Sequence, residues 1–273
     1  FTDPVERAKA IGAWSAVTGL AVALGPITGG WLLEHFAWGS IFLVNVPIVL
    51  VALVAGRALL PTSRDRTAGR PDPLGLLLSI GMIATLVWTV IEAPHRGWRT
   101  PETLGGFALA VALLVGFVAW ERRCAEPMLD VTVFRNPRFS AASASVAMAF
   151  FGLFGFIFLV TQYFQVVRGY DTLSAGLHTL PFAVAAAIVS PVAAGLALRF
   201  GTKRVVGVGL LSMSVGFFWA STIGADTSYW RVIVPQMVLM ASGLALTTAP
   251  ATEAIMGSLP VDKAGVGSAV NDT

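Results

Sequence analysis

Eight long stretches without Lys, Arg, Asp or Glu constrain this chain more than any other feature. They cover residues 11–33, 38–56, 74–91, 103–120, 139–167, 172–198, 205–225 and 232–252, and residues 265–273 read as the opening of a ninth element. A helix needs about 20 mostly apolar residues to cross a bilayer. One charged side chain at the centre of such a helix costs roughly 2.5–3.5 kcal/mol on insertion scales. A water-soluble domain carries roughly 25% charged residues, whereas this chain has 12%, with 56% hydrophobic. A single core cannot hide that much apolar surface, so the solvent is lipid. The expected fold is an all-α integral membrane bundle with about eight spans.

The connectors orient the bundle. Of the eighteen basic residues, fourteen fall on one side: Arg7 and Lys9, Arg57 to Arg70, Arg122 to Arg138, Arg199 to Arg204, and Lys263. Arg96, Arg99, Arg168 and Arg231 lie on the other. The positive-inside rule puts the first set in the cytoplasm, so the first run travels outward. Trp31, Trp38, Trp98, Trp120, Tyr163 and Trp230 stand near run ends, as interfacial aromatics do. The segment PTSRDRTAGRPDP, residues 61–73, is the most polar stretch and reads as a cytoplasmic linker. The net charge of +3 is too small to point to nucleic acid. With one cysteine, Cys124, the chain has no internal disulfide and no multi-cysteine metal site.

The first run contains LGPITGG, residues 24–30. Proline inside a helix costs about 3 kcal/mol and glycine about 1 kcal/mol relative to alanine. Pro26 removes a backbone hydrogen bond and bends the helix. Ala21, Gly25 and Gly29 recur at four-residue spacing with Gly30 beside them, and in lipid such a face lets two helix backbones approach closely. The stretch therefore reads as a bent, close-packed seam.

Gly12, Gly25-Pro26 and Gly29-Gly30 resemble the antiporter signature on the fifth helix of drug exporters in the major facilitator superfamily, with Ala21 in place of its second glycine. WGSIFLVNVPI resembles the start of the sixth helix in that family. Residues 176–204 resemble the eighth core helix and its cytoplasmic turn, with Arg199, Gly201, Lys203 and Arg204 in the turn and Leu198 where the family has an acid. Residues 259–273 resemble the approach to the eleventh. The two extra spans in 74–120 resemble the insertion of the fourteen-helix drug:proton antiporter branch.

The resemblance implies a partial major-facilitator-type bundle of about eight transmembrane helices out of fourteen. Its implied division is 1–60, the last two helices of the N-terminal bundle; 61–73, the linker; 74–120, the inserted pair; and 121–273, a truncated C-terminal bundle. The chain starts at Phe1 and stops inside a new element, so a piece of a longer protein is expected. The implied activity is proton-coupled export of hydrophobic or cationic compounds by alternating access, by a monomer in the inner membrane of a bacterium. The alternatives are a facilitator dedicated to one metabolite and a non-transporting membrane protein.

Few residues can carry that chemistry. A proton-driven carrier needs a membrane-buried titratable group. Asp272 falls where related exporters hold an acidic pair, and is either a coupling or cation-binding acid or a residue that caps a helix or faces the cytosol. His178 is the one titratable residue well inside a run, either a proton relay or a hydrogen-bonded polar residue. Glu92 and Glu253 end runs and read as solvated; Glu34 and His35 fall in a short outer loop. Gln162, Gln165 and Gln236 either line a substrate path or bond to neighbouring helices. The phenylalanines from Phe150 to Phe158 read as packing or as a drug cage. The histidines show no metal-ligand spacing, no phosphate-binding loop for ATP is present, and no acid or His/Asp cluster suggests an enzyme. No cofactor is expected.

Overall fold

A computed structural model describes residues 24–59, 72–125 and 127–258, with 265, 267, 268 and 270. All regular structure among the described residues is helical. The elements are α1 (24–35), α2 (Ser40–Leu43), α3 (Asn45–Leu59), α4 (Pro73–Arg96), α5 (Pro101–Glu121), α6 (Pro137–Gln162), α7 (Thr172–Phe200), α8 (Thr202–Ala220) and α9 (Val234–Gly257). One π-turn, Tyr163–Val167, extends α6 and another, Tyr229–Ile233, opens α9. A 3-10 turn, Val131–Arg135, precedes α6.

Seven helical segments among the described residues are long and apolar enough to cross a membrane, with α2 and α3 counted as one. They coincide with seven of the eight charge-free runs. The remaining run, 11–33, is described only from Leu24 onward, and that part is helical. The chain is a multi-pass membrane protein. Many large apolar side chains point outward, among them Phe151, Leu198 and Phe218, as a lipid solvent allows.

Helix starts follow from short polar residues. Asp72 caps α4 by accepting the Gly75 N–H at 2.9 Å, with Pro73 in the first turn. Asp171 caps α7 through the Ser174 N–H at 2.6 Å. Gly201, at φ 87°, ends α7 and begins α8 in a backbone region that other residues avoid.

The helices pack as two compact units. One holds residues 62–140 and 258–273; the other holds 1–61 and 141–257. In the first, α4 and α5 form a hairpin in which Gly106 lies against Thr89. In the second, α7 and α8 both pack on α9. Glycines bring the α8 and α9 backbones together: a Cβ on Gly243 would stand 2.6 Å from the Gly209 carbonyl oxygen and 2.7 Å from the Met213 nitrogen. This is the small-residue packing expected where lipid supplies no hydrophobic drive between helices. Phe156, Phe182, Met213, Met237 and Met240 fill the core beside it.

Candidate functional site

The LGPITGG stretch forms the described start of α1 and packs on the first turns of α7. Gly30 is buried, and a Cβ there would stand 2.8 Å from Leu173 Cα and 2.9 Å from the Thr172 carbonyl oxygen. The approach is reciprocal: a Cβ on Gly176 would stand 2.6 Å from the Pro26 carbonyl oxygen. A Cβ on Gly25 or Gly29 would meet no atom of another element within 4 Å. The seam is thus held by Gly30, Pro26 and Gly176 rather than by every small residue of the stretch. Gly12 lies outside the described residues.

Carboxylates close the same end. Glu34 Oε1 accepts the Leu173 N–H at 3.1 Å, one turn along α1 from Gly30. The first backbone N–H groups of a helix lack internal partners and carry the positive end of its dipole, so an acid suits this place. Asp171 stands beside Glu34. Hydrogen bonds from the Ser174 backbone N–H, then from the Ser174 side chain, hold its carboxyl below the usual aspartate range. Glu34 and His35 thus belong to the last turn of α1 rather than to the short outer loop expected from the sequence, because the helix runs on through His35, and from there Glu34 reaches α7. The available signal was Asp171 three residues before Ser174, a capping pattern. Gly176 in the first turns of an apolar helix was a second.

His178 lies one turn deeper on α7. Its Nδ1 is 2.6 Å from the Ser174 carbonyl oxygen. A carbonyl only accepts, so Nδ1 carries the hydrogen and Nε2 is left as the ring's acceptor in the neutral form. The rings of Tyr170, Tyr229 and Phe164 stand around it at centroid distances of 4.5, 4.7 and 5.6 Å. Tyr229 Oη donates to the His178 carbonyl at 3.0 Å. The π-turn at the end of α6 delivers Phe164, and the π-turn opening α9 delivers Tyr229. Beside this nest, the Arg168 guanidinium donates to the Thr227 carbonyl and lies 5.6 Å from the Tyr163 ring centre.

The glutamines separate. Gln162 and Gln165 are exposed at the junction of α6 with its π-turn. Gln236 is 1% exposed, and its Nε2 donates to the Gly216 carbonyl at 3.0 Å and to Met240 Sδ, tying α9 to α8. Phe150, Phe151, Phe154 and Phe158 are exposed, whereas Phe156 is buried and stacks on Phe182 at 5.1 Å. In the α7–α8 turn Lys203 and Arg204 are exposed, and the Arg199 guanidinium lies 5.3 Å from the Phe200 ring centre. Glu92 pairs with Arg96 at 2.9 Å, an exposed contact of little energetic weight. Asp272 lies outside the described residues. No group of three or more His, Cys, Asp or Glu able to hold a metal occurs among the described residues.

A close-packed, glycine-lined seam capped by acids is a device for holding two helices together at one end. The full chain, residues 1–273, matches the family model described as Major Facilitator Superfamily. The chain belongs to the major facilitator superfamily. Among its relatives, the multidrug efflux pump LfrA of Mycolicibacterium smegmatis is 36% identical over 273 residues, covering 100% of this chain and 54% of the relative. The multidrug resistance protein Stp of Mycobacterium tuberculosis is 34% identical over 270 residues, covering 99% and 50%. The tetracenomycin C resistance and export protein of Streptomyces glaucescens is 36% identical over 269 residues, covering 96% and 49%. This facilitator chain therefore spans about half the length of the curated relatives it matches.

Proposed function

We propose that this facilitator is part of a secondary active exporter that moves small hydrophobic or cationic compounds outward in exchange for protons. The observation that carries the reading is the match along the whole chain to relatives named for multidrug efflux and drug resistance. Carriers of this kind bind cargo near the bilayer midplane and rock two helix bundles about it. In that cycle the α1–α7 seam is the outer closure: Gly30 on Leu173 and Gly176 on Pro26 seal the end that the charge distribution assigns to the outside. Residues 1–60 belong to the N-terminal bundle and 121–273 to the C-terminal one; 61–73 link them and 74–120 are the inserted pair. Arg199, Gly201, Lys203 and Arg204 anchor the inner turn.

Asp272 is the proposed coupling acid and His178 the second candidate. Gln162 and Gln165, exposed near the outer end, are the proposed substrate-facing polar residues. Gln236 serves the α8–α9 contact instead. The working unit is a monomer in the bacterial inner membrane, with protons and the cargo as its partners. A narrow cargo is the second reading, favoured by the relative named for tetracenomycin C alone.

Transport by the full-length protein in everted vesicles tests both readings. A fluorescent lipophilic cation should move with an imposed pH gradient, and Asp272→Asn should abolish the movement. Movement retained in Asp272→Asn but lost in His178→Gln transfers the coupling role to His178. Absence of movement with correctly inserted protein removes the multidrug reading.

A further inference from the structure

The α4–α5 hairpin carries a pair of acids that the transport reading does not use. Asp72 is saturated on one side: Oδ1 accepts the Gly75 N–H at 2.9 Å, and the Trp120 indole N–H reaches Oδ1 and Oδ2 at 3.0 and 2.9 Å. Glu121, the next residue after Trp120, ends α5 and is 3% exposed. Its Oε2 accepts the Leu129 N–H at 3.1 Å. Its Oε1 is buried and has no hydrogen-bond partner among the described residues. Gly75 shows where Oε1 points: a Cβ on Gly75 would stand 2.6 Å from it, and closer still to Asp72 Oδ2. Two oxygens from two acids therefore converge over one bare Cα.

A carboxylate only accepts hydrogen bonds; the Leu129 and Met128 backbone N–H groups act on Glu121, but among the described residues none donates to its Oε1. No cation among the described residues supplies that donor. Between Asp72 and Glu92 α4 has no ionisable residue, and α5 has none between Glu102 and Glu121. Arg122 and Arg123, which follow α5, are exposed. Asp130, before the 3-10 turn, accepts from the Thr132 N–H and hydroxyl. Asp72 is the charged group that acts on Glu121. A divalent ion would require about six oxygen ligands, whereas the described residues bring only Glu121 Oε1 and Asp72 Oδ2 over Gly75. A single hydrogen requires two.

We infer that Asp72 and Glu121 form a one-proton site, with the hydrogen on Glu121 Oε1 directed at Asp72 Oδ2. The ligand is a proton drawn from water at this end of the hairpin. With it bound, the pair carries one negative charge, matched by the Gly75 and Trp120 donors. Without it, two charges face each other across Gly75, and the cap of α4 and the Leu129 turn are driven apart.

Infrared difference spectra of the full-length protein in lipid nanodiscs, titrated from acid to alkaline, test this site. Wild type should show a protonated-carboxyl C=O band at neutral pH that is missing from Glu121→Gln. Asp72→Asn should keep the band but lose it at a lower pH than wild type, because burial of Glu121 remains while the like charge is gone. A wild-type minus Glu121→Gln spectrum with only carboxylate bands at neutral pH would overturn the site. So would an Asp72→Asn titration unmoved from wild type. Should Glu121→Gln fail to insert, the Asp72→Asn comparison still decides.

Discussion

Gly30 of α1 lies so close to the backbone of Leu173 in α7 that a Cβ on it would stand 2.8 Å from Leu173 Cα. Backbone cannot rotate aside as a long side chain can, so the two helices must part to admit a methyl group. Gly30→Ala and Gly176→Ala should each cost about 1–3 kcal/mol, the range for overpacking a close contact. Gly25→Ala and Gly29→Ala would meet no atom of another element within 4 Å and should leave the seam closed. Spin-label distances between α1 and α7 in the full-length protein read this directly; equal widening in all four variants would refute it.

Glu34 holds the same seam from outside through the Leu173 N–H. Glu34→Ala removes the acceptor, whereas Glu34→Gln keeps an amide oxygen in reach. A cysteine placed at the outer end of α7 should react with an external thiol reagent about two- to fivefold faster in Glu34→Ala, the equilibrium worth of one charge–dipole contact. Glu34→Gln should recover part of that change.

Asp171 links this end to pH. Its carboxyl sits below the usual aspartate range because Ser174 hydrogen-bonds the charged form. A lowered folded-state value means that the contribution is present above the ordinary aspartate range and fades as pH falls through the lowered value. Thermal midpoints should therefore drop in acid for wild type. Asp171→Asn keeps a capping oxygen and should lose this component of the acid dependence, while Asp171→Ala should be less stable at neutral pH as well.

At the α8–α9 contact, Gly243→Ala should be the more damaging change. Its Cβ would meet the Gly209 carbonyl and the Met213 nitrogen, both backbone, and a loss of about 1–3 kcal/mol or more is expected. Gln236→Leu removes a side-chain bond to a carbonyl and should cost about 1 kcal/mol. Thermal unfolding of the purified protein in detergent ranks the two.

Much of the fold was readable because lipid enforces a simple rule: a span must be long, helical and free of charge. The seven spans follow from that, and so does the helical form of LGPITGG, despite a proline and three glycines. The seam's partner was not readable. Gly25, Gly29 and Gly30 are equivalent as letters, and nothing local says that Gly30 meets α7. Nor does anything local say that Gln236 faces Gly216 while Gln162 and Gln165 stay exposed, since all three are polar residues in or beside apolar runs.

The sequence by itself determined the solvent, the helical spans and the family, because these depend on composition and on patterns along the chain. Tertiary structure alone decided which groups meet across long separations: Glu34 with Leu173, Pro26 with Gly176, Trp120 with Asp72, and Glu121 with the space over Gly75. Such pairings depend on how whole helices pack, and lipid-facing helices of similar apolarity give no local preference for one neighbour over another.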